Sequence, residues 1–113
     1  MRILQGDLVL PREIPSRTAD HVLVEIRDVS LADAPSTVVA LQELQQVPIV
    51  SGGRIPYQLS VPEMSTARSL ALRAHVSIKG GAHVAPGDLL TTALYPVPST
   101  GELLPLEAQL EVV

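Results

Sequence analysis

The chain has no cysteine, no phenylalanine and no tryptophan, and its aromatic residues are Tyr57 and Tyr95 alone. Without cysteine there is no thiol nucleophile, no thiolate-bound zinc and no disulfide staple. The shortage of rings removes the stacking platforms that bases and sugars need, so the core must be built from Val, Leu, Ile and Ala. Positive charge is also scarce. Eight Lys and Arg stand against twelve Asp and Glu, for a net charge of −4, and the cations are scattered where a phosphate-binding surface needs them clustered. Nucleic acid is excluded as a partner on that ground. No apolar run approaches the roughly 20 residues of a membrane-spanning helix. The opening MRILQGDLVLPRE reads as neither a signal peptide nor a membrane span,. As written, the chain is expected in the cytoplasm; if a signal segment has been removed, it is expected in the periplasm or at the outer membrane.

What is present is a chain of 113 residues, 46% of them hydrophobic. That suits one domain over residues 1–113, with a core sufficient to fold without staples. The most informative stretch is Val22 to Pro35. Val22, Val24 and Ile26 alternate with Leu23, Glu25 and Arg27, the period-two pattern of a half-buried strand, and the run ends in a polar turn closed by Ala34 and Pro35,.

The same period recurs along the chain. Strands are expected at Arg2 to Leu10, Val22 to Val29, Thr37 to Val47, Arg54 to Val61, Leu70 to Lys79, Leu89 to Tyr95 and Leu103 to Val113,. Thr37 to Val47 has helix-favouring composition, but its alternation and its all-strand surroundings argue for a strand. Pro56 forbids a ladder hydrogen bond and places Arg54 to Val61 at a sheet edge or beside a bulge. In the last strand Leu104, Leu106, Ala108, Leu110 and Val112 are expected to face inward. Seven short strands with regular turn signals predict an all-β fold, a two-sheet antiparallel β-sandwich.

The order of these pieces resembles a known family. The strand ending in Asp28-Val29-Ser30 with Ala32-Asp33-Ala34-Pro35, then Ile55-Pro56-Tyr57, then LALRAHVSI and a glycine turn, then Tyr95-Pro96-Val97 is similar to the YbaY/YscW-type small lipoprotein domain. The resemblance covers roughly Leu8 to Val97. It implies a small β-sandwich of Gram-negative bacteria, mostly lipid-anchored to the outer membrane. One branch acts as a pilotin that helps a type III secretion secretin reach that membrane. This chain carries no lipidated cysteine, and its Gly80 to Gly87 stretch is longer than the family's usual tight turn.

Candidate sites are few. Asp28, Ser30, Asp33 and Pro35 form a compact polar cluster. Turn chemistry explains it better than a metal or acid–base site, with Asp33 and Ser30 accepting backbone N–H bonds to hold the loop. His21, His75 and His83 have no metal-ligand spacing and read as surface residues, His75 facing water between Arg73 and Ser77. No nucleophile elbow or phosphate loop occurs. No cofactor is expected, and no enzyme activity. What remains is protein contact. The strands Arg2 to Leu10 and Leu103 to Val113 are the candidate open edges, with Leu8 and Gln109 on them, and Val47, Ile49 and Val50 form an apolar cluster in an expected loop. The expected activity is accessory or chaperone-like binding of a partner protein, or of a second copy, by strand addition. The alternative is a small-molecule binding module or a non-catalytic subunit of an enzyme complex, either of which needs a concave apolar pocket.

Overall fold

A computed structural model of the chain describes residues 2–31 and 33–113; Met1 and Ala32, the latter within the family-like turn, lie outside the described residues. The fold is all-β, as expected. Eight strands follow in order: β1 (Arg2–Val9), β2 (Arg17–Asp28), β3 (Thr37–Ile49), β4 (Arg54–Val61), β5 (Leu70–Ser77), β6 (Leu89–Thr91), β7 (Tyr95–Val97) and β8 (Ala108–Val112). They hydrogen-bond in the order β3-β2-β5-β6-β8-β1-β4, with β7 beside β5. Every pairing is antiparallel except the parallel pair β1 and β8.

The two inner faces expected of a sandwich are present, but the layers are continuous. β8 pairs with β6 on one side and with β1 on the other. The sheet therefore curls around one core and comes close to forming a barrel, leaving β3 and β4 as its two ends.

Alternation sets what faces that core. In β4, Ile55, Tyr57, Leu59 and Val61 are buried while Arg54, Pro56, Gln58 and Ser60 are exposed. In β5, Leu70, Leu72, Ala74 and Val76 meet Val22, Val24 and Ile26 of β2 in the same cluster. Most of these side chains are branched aliphatics, and burying each one stabilises the fold by roughly 1.5–3 kcal/mol.

The elements depart from expectation where long-range pairing overrides local pattern. β2 begins at Arg17, because Arg17, Thr18 and Ala19 pair with Ile49, Pro48 and Val47. Those β3 residues are thus strand and not loop; Pro48 is tolerated because β3 is an edge strand,. The expected strand Leu89 to Tyr95 is split. β6 and β7 lie along the same side of β5, and Leu94 between them turns out to solvent at 73% exposure. The last strand starts only at Ala108, since Pro105 interrupts the ladder before it,. Ala108 and Leu110 face inward as expected, whereas Leu104 and Val112 are exposed.

Candidate protein-interaction surface

The two ends of the sheet face one another along a seam. β4 bonds β1 over its full length, Val61 opposite Arg2 through Arg54 opposite Val9. Backbone groups in a strand point alternately to the two sides. The Gln58 N–H points away from β1 and donates to the side-chain Oε1 of Gln42 in β3 at 2.9 Å. By the same alternation the nitrogen of Pro56 points into the seam, where its missing N–H costs no ladder bond, which fits the expectation that Pro56 marks an edge. A hollow of about 430 Å³ adjoins this bond and runs over the β1–β4 pair, lined by Gln5, Gly6, Asp7, Pro56, Gln58 and Pro105, with Gln42 reaching it from β3. Facing it, β3 is regular from Ala40 to Gln45. Its irregularities flank that stretch: a register shift opposite Ile26 and Arg27, and Gln46 at φ 51°. Bulges of this kind blunt an edge against indiscriminate pairing, and they leave six regular residues open,.

The opposite flank of β1 is closed. Leu106 N–H donates to Gln5 O at 3.0 Å, extending the β1–β8 ladder. The Leu106 backbone presses on Gly6 so closely that a Cβ there would stand 2.7 Å from its carbonyl carbon. The buried Tyr57 donates its hydroxyl to Leu106 O at 2.7 Å. Burial, with Asp7 second, pushes the Tyr57 phenol up to about 12. Tyr95 does a similar service, its hydroxyl accepting the Gln109 N–H at 2.8 Å on the side of β8 that faces the β6–β7 break. Both tyrosines thus tie down the Leu106 to Gln109 segment, the buried Tyr57 because a phenol out of water needs a hydrogen-bond partner,.

Two aspartates anchor the polar loops. Asp28 accepts the Ser30 N–H at 2.9 Å, the Ser30 hydroxyl, and Arg68 Nη1 at 3.1 Å, while Ser30 Oγ accepts the Ser69 N–H at 2.8 Å. The Ser30 hydroxyl and amide, with Arg68, hold the Asp28 carboxyl below the usual carboxylate range. Of the two residues expected to accept backbone N–H bonds in this turn, Ser30 does so, from Ser69. Asp28 bears the bonds, and Asp33 and Pro35 are exposed at the tip and exit of the turn. Asp88 does the equivalent work for the Gly80 to Gly87 loop. It accepts the N–H groups of Ile78 and Ala85, both at 3.0 Å, and lies 2.9 Å from His75 Nε2. Burial alone would raise its carboxyl, but the bonds from His75, Ile78 and Ala85 outweigh it and hold the group low. His75 is therefore a loop clasp, packed edge-on to His21 at 6.3 Å, and not a water-facing histidine.

The expected contact residues are dispersed. Leu8 is fully buried in a strand flanked on both sides, so Arg2 to Leu10 is no edge. Leu103 to Val113 is no edge either, since β8 lies between β1 and β6. Gln109 is exposed in its side chain, but its amide is already spent on Tyr95. Ile49 is buried at 1% exposure and Val47 is half-buried in β3, which leaves Val50 as the exposed member of that cluster. The residues that do meet at open edges, Gln42 and Gln58, were not singled out in the sequence. Pro56 was the signal, because it identified the strand whose outer side is free.

A nearly closed, barrel-like sheet with two facing edges and polar turns held by carboxylates defines the chain as a small all-β domain. The comparisons with known proteins name the family. The model of the type III secretion system lipoprotein chaperone, YscW, matches residues 1–102, and the chain belongs to that family. The solved structure of an alternative pilotin from the type II secretion system of Vibrio cholerae is similar over 97% of this chain and 98% of its own. Its TM-score is 0.62 at 23% identity, a likeness of fold. No curated protein matches the sequence.

Proposed function

We propose that this protein is a secretion accessory chaperone that holds an extended segment of a secretion-system partner, such as a secretin, as an added strand in the β3–β4 seam. Membership of the YscW family supports a chaperone role in secretion. The observation that carries the binding mode is the Gln58 amide. A backbone donor in the middle of an edge strand is satisfied by a side chain, Gln42 Oε1, at the margin of an open hollow. An incoming strand offers a backbone carbonyl in its place and frees the glutamine to move aside. Main-chain bonds then supply affinity and the alternate side chains of the guest supply choice. A second copy of the chain is the other possible strand donor, through the same edge. The same reading places the protein's work in the cell envelope, which cell fractionation checks.

The test is Gln58→Pro. Proline at this position removes the seam-facing donor and leaves the bonds to β1 intact, as Pro56 already does two residues earlier,. Binding of a synthetic extended secretin segment, measured by calorimetry, is expected to weaken at least tenfold while the circular dichroism spectrum is kept. Undiminished binding by the folded variant overturns strand addition at this seam.

A further inference from the structure

The break between β6 and β7 produces a second hollow, on the outer face of the sheet and independent of the seam. Its volume is about 200 Å³. Ala71 lies opposite Arg27 in the β2–β5 register, and its single methyl group leaves a depression between longer neighbours. Val29 and Leu94 border the depression on its apolar side, 40% and 73% exposed. Arg27 and Arg73 border it as well.

The two arginines differ. Arg27 is fixed, donating Nη1 to Ser36 Oγ at 2.8 Å and standing 3.2 Å from the Glu25 carboxylate. Arg73 sits across from Glu25 in the register, but that carboxylate is turned to Arg27. Among the described residues Arg73 forms no ion pair, and its side chain is exposed. Two guanidinium groups against one carboxylate leave this spot positive in a protein whose net charge is −4. An exposed leucine and valine beside an open cation describe a guest with an apolar body and an anionic head. The hollow is smaller than a drug-sized ligand pocket and suits one aliphatic side chain.

We propose that this hollow docks a partner polypeptide through one bulky aliphatic side chain, seated on Ala71 between Val29 and Leu94, with an adjoining carboxylate paired to Arg73. The carboxylate is either the partner's chain terminus or an acidic side chain next to the anchor. Burial of the aliphatic group supplies affinity, and the charge-assisted bond fixes orientation.

Three probes titrated into ¹⁵N-labelled protein test this by amide shift: N-acetyl-leucine, N-acetyl-leucyl-glutamic acid α-amide, whose side-chain carboxylate is free, and N-acetyl-leucinamide. The two carboxylates are expected to move the Ala71, Arg73, Ala93 and Leu94 amides with dissociation constants on the order of millimolar. The leucinamide is expected to bind about tenfold more weakly, the loss of one charge-assisted bond. Tighter binding of N-acetyl-leucine points to a chain terminus, and tighter binding of the glutamyl probe to an internal acidic residue. Arg73→Gln is expected to weaken both carboxylates about tenfold, and Ala71→Leu, which fills the hollow, to abolish the shifts. If Ala71→Leu does not fold, Arg73→Gln decides alone. Equal binding of acid and amide, an undiminished Arg73→Gln, or shifts centred on Gln42 and Gln58 overturns the proposal. The last outcome would still leave the seam in play, so the two sites fail separately.

Discussion

The two flanks of the β1–β4 pair meet the same need in opposite ways. On the closed flank, the Leu106 amide and carbonyl are both engaged, by Gln5 O and by the Tyr57 hydroxyl, over a glycine that leaves no room for a side chain. On the open flank the Gln58 amide has one acceptor, a side-chain carbonyl on a strand that does not pair with β4. The first arrangement cannot be exchanged without moving the backbone. The second is undone by one rotamer change. Binding belongs on the flank whose bonds are provisional, because a guest can replace them at little cost.

The contrast is broken most severely at Gly6. Gly6→Ala sets a methyl group against the Leu106 backbone. It is expected to cost about 3 kcal/mol, at the upper end of overpacking effects. A urea melt reads the loss, together with faster hydrogen exchange at Leu106. Tyr57→Phe removes one bond and keeps the ring, so about 1 kcal/mol is expected in the same melt.

The Tyr57 phenol also predicts a pH dependence. In the unfolded chain it ionises at its ordinary value of 10.0, and in the folded protein at about 12. A raised folded value means that the stabilisation is complete below the unfolded value and is lost as pH rises from the one toward the other. Thermal melts across that window should show falling stability in the parent chain and a flatter dependence in Tyr57→Phe. The smallest effect on stability is expected on the open flank. Gln42→Ala should shift the urea midpoint by no more than about 0.5 kcal/mol, because water can take over the Gln58 amide. Its exchange rate should rise sharply. A loss on Gln42→Ala as large as that on Gly6→Ala would erase the distinction between the flanks.

The sequence carried the strands well where one face is buried, as in Ile55 to Val61 and Leu70 to Val76, since a period of two in a few residues suffices. Neighbour relations were a different matter. Nothing local in Arg2 to Leu10 says that β4 and β8 lie on either side of it, so a buried strand was read as an edge. Pro56 escaped that difficulty because a missing N–H is itself a statement about neighbours. The turn after β2 was legible as turn chemistry. The bond-bearing carboxylate was misassigned because Asp28 and Asp33 flank the same loop and only Asp28 meets Arg68, forty residues away. The His75–Asp88 clasp, thirteen residues apart across a loop, left no spacing signature at all. Val47 and Ile49 looked like loop because Pro48 lies between them, and pairing with Arg17 to Ala19 overrode it.

The parallel pairing of β1 with β8 sets Leu8 opposite Ala108, so the first strand is completed by the eighth, which emerges after the other seven. β8 is also the strand that connects the β6 side of the sheet to the β1 side. During translation the β1–β4 pair and the β2, β3 and β5 ribbon can therefore share a core, but the strand that bridges them is missing until Ala108 to Val112 emerge. Until β8 emerges such a chain is vulnerable to misassociation, and closure of the sheet comes only with that strand. Ribosome-stalled chains ending at Glu107 should stay protease-sensitive, and chains extended past Val113 by enough linker to clear the exit tunnel should become resistant. Resistance of the shorter chains would show that the barrel does not wait for its last strand.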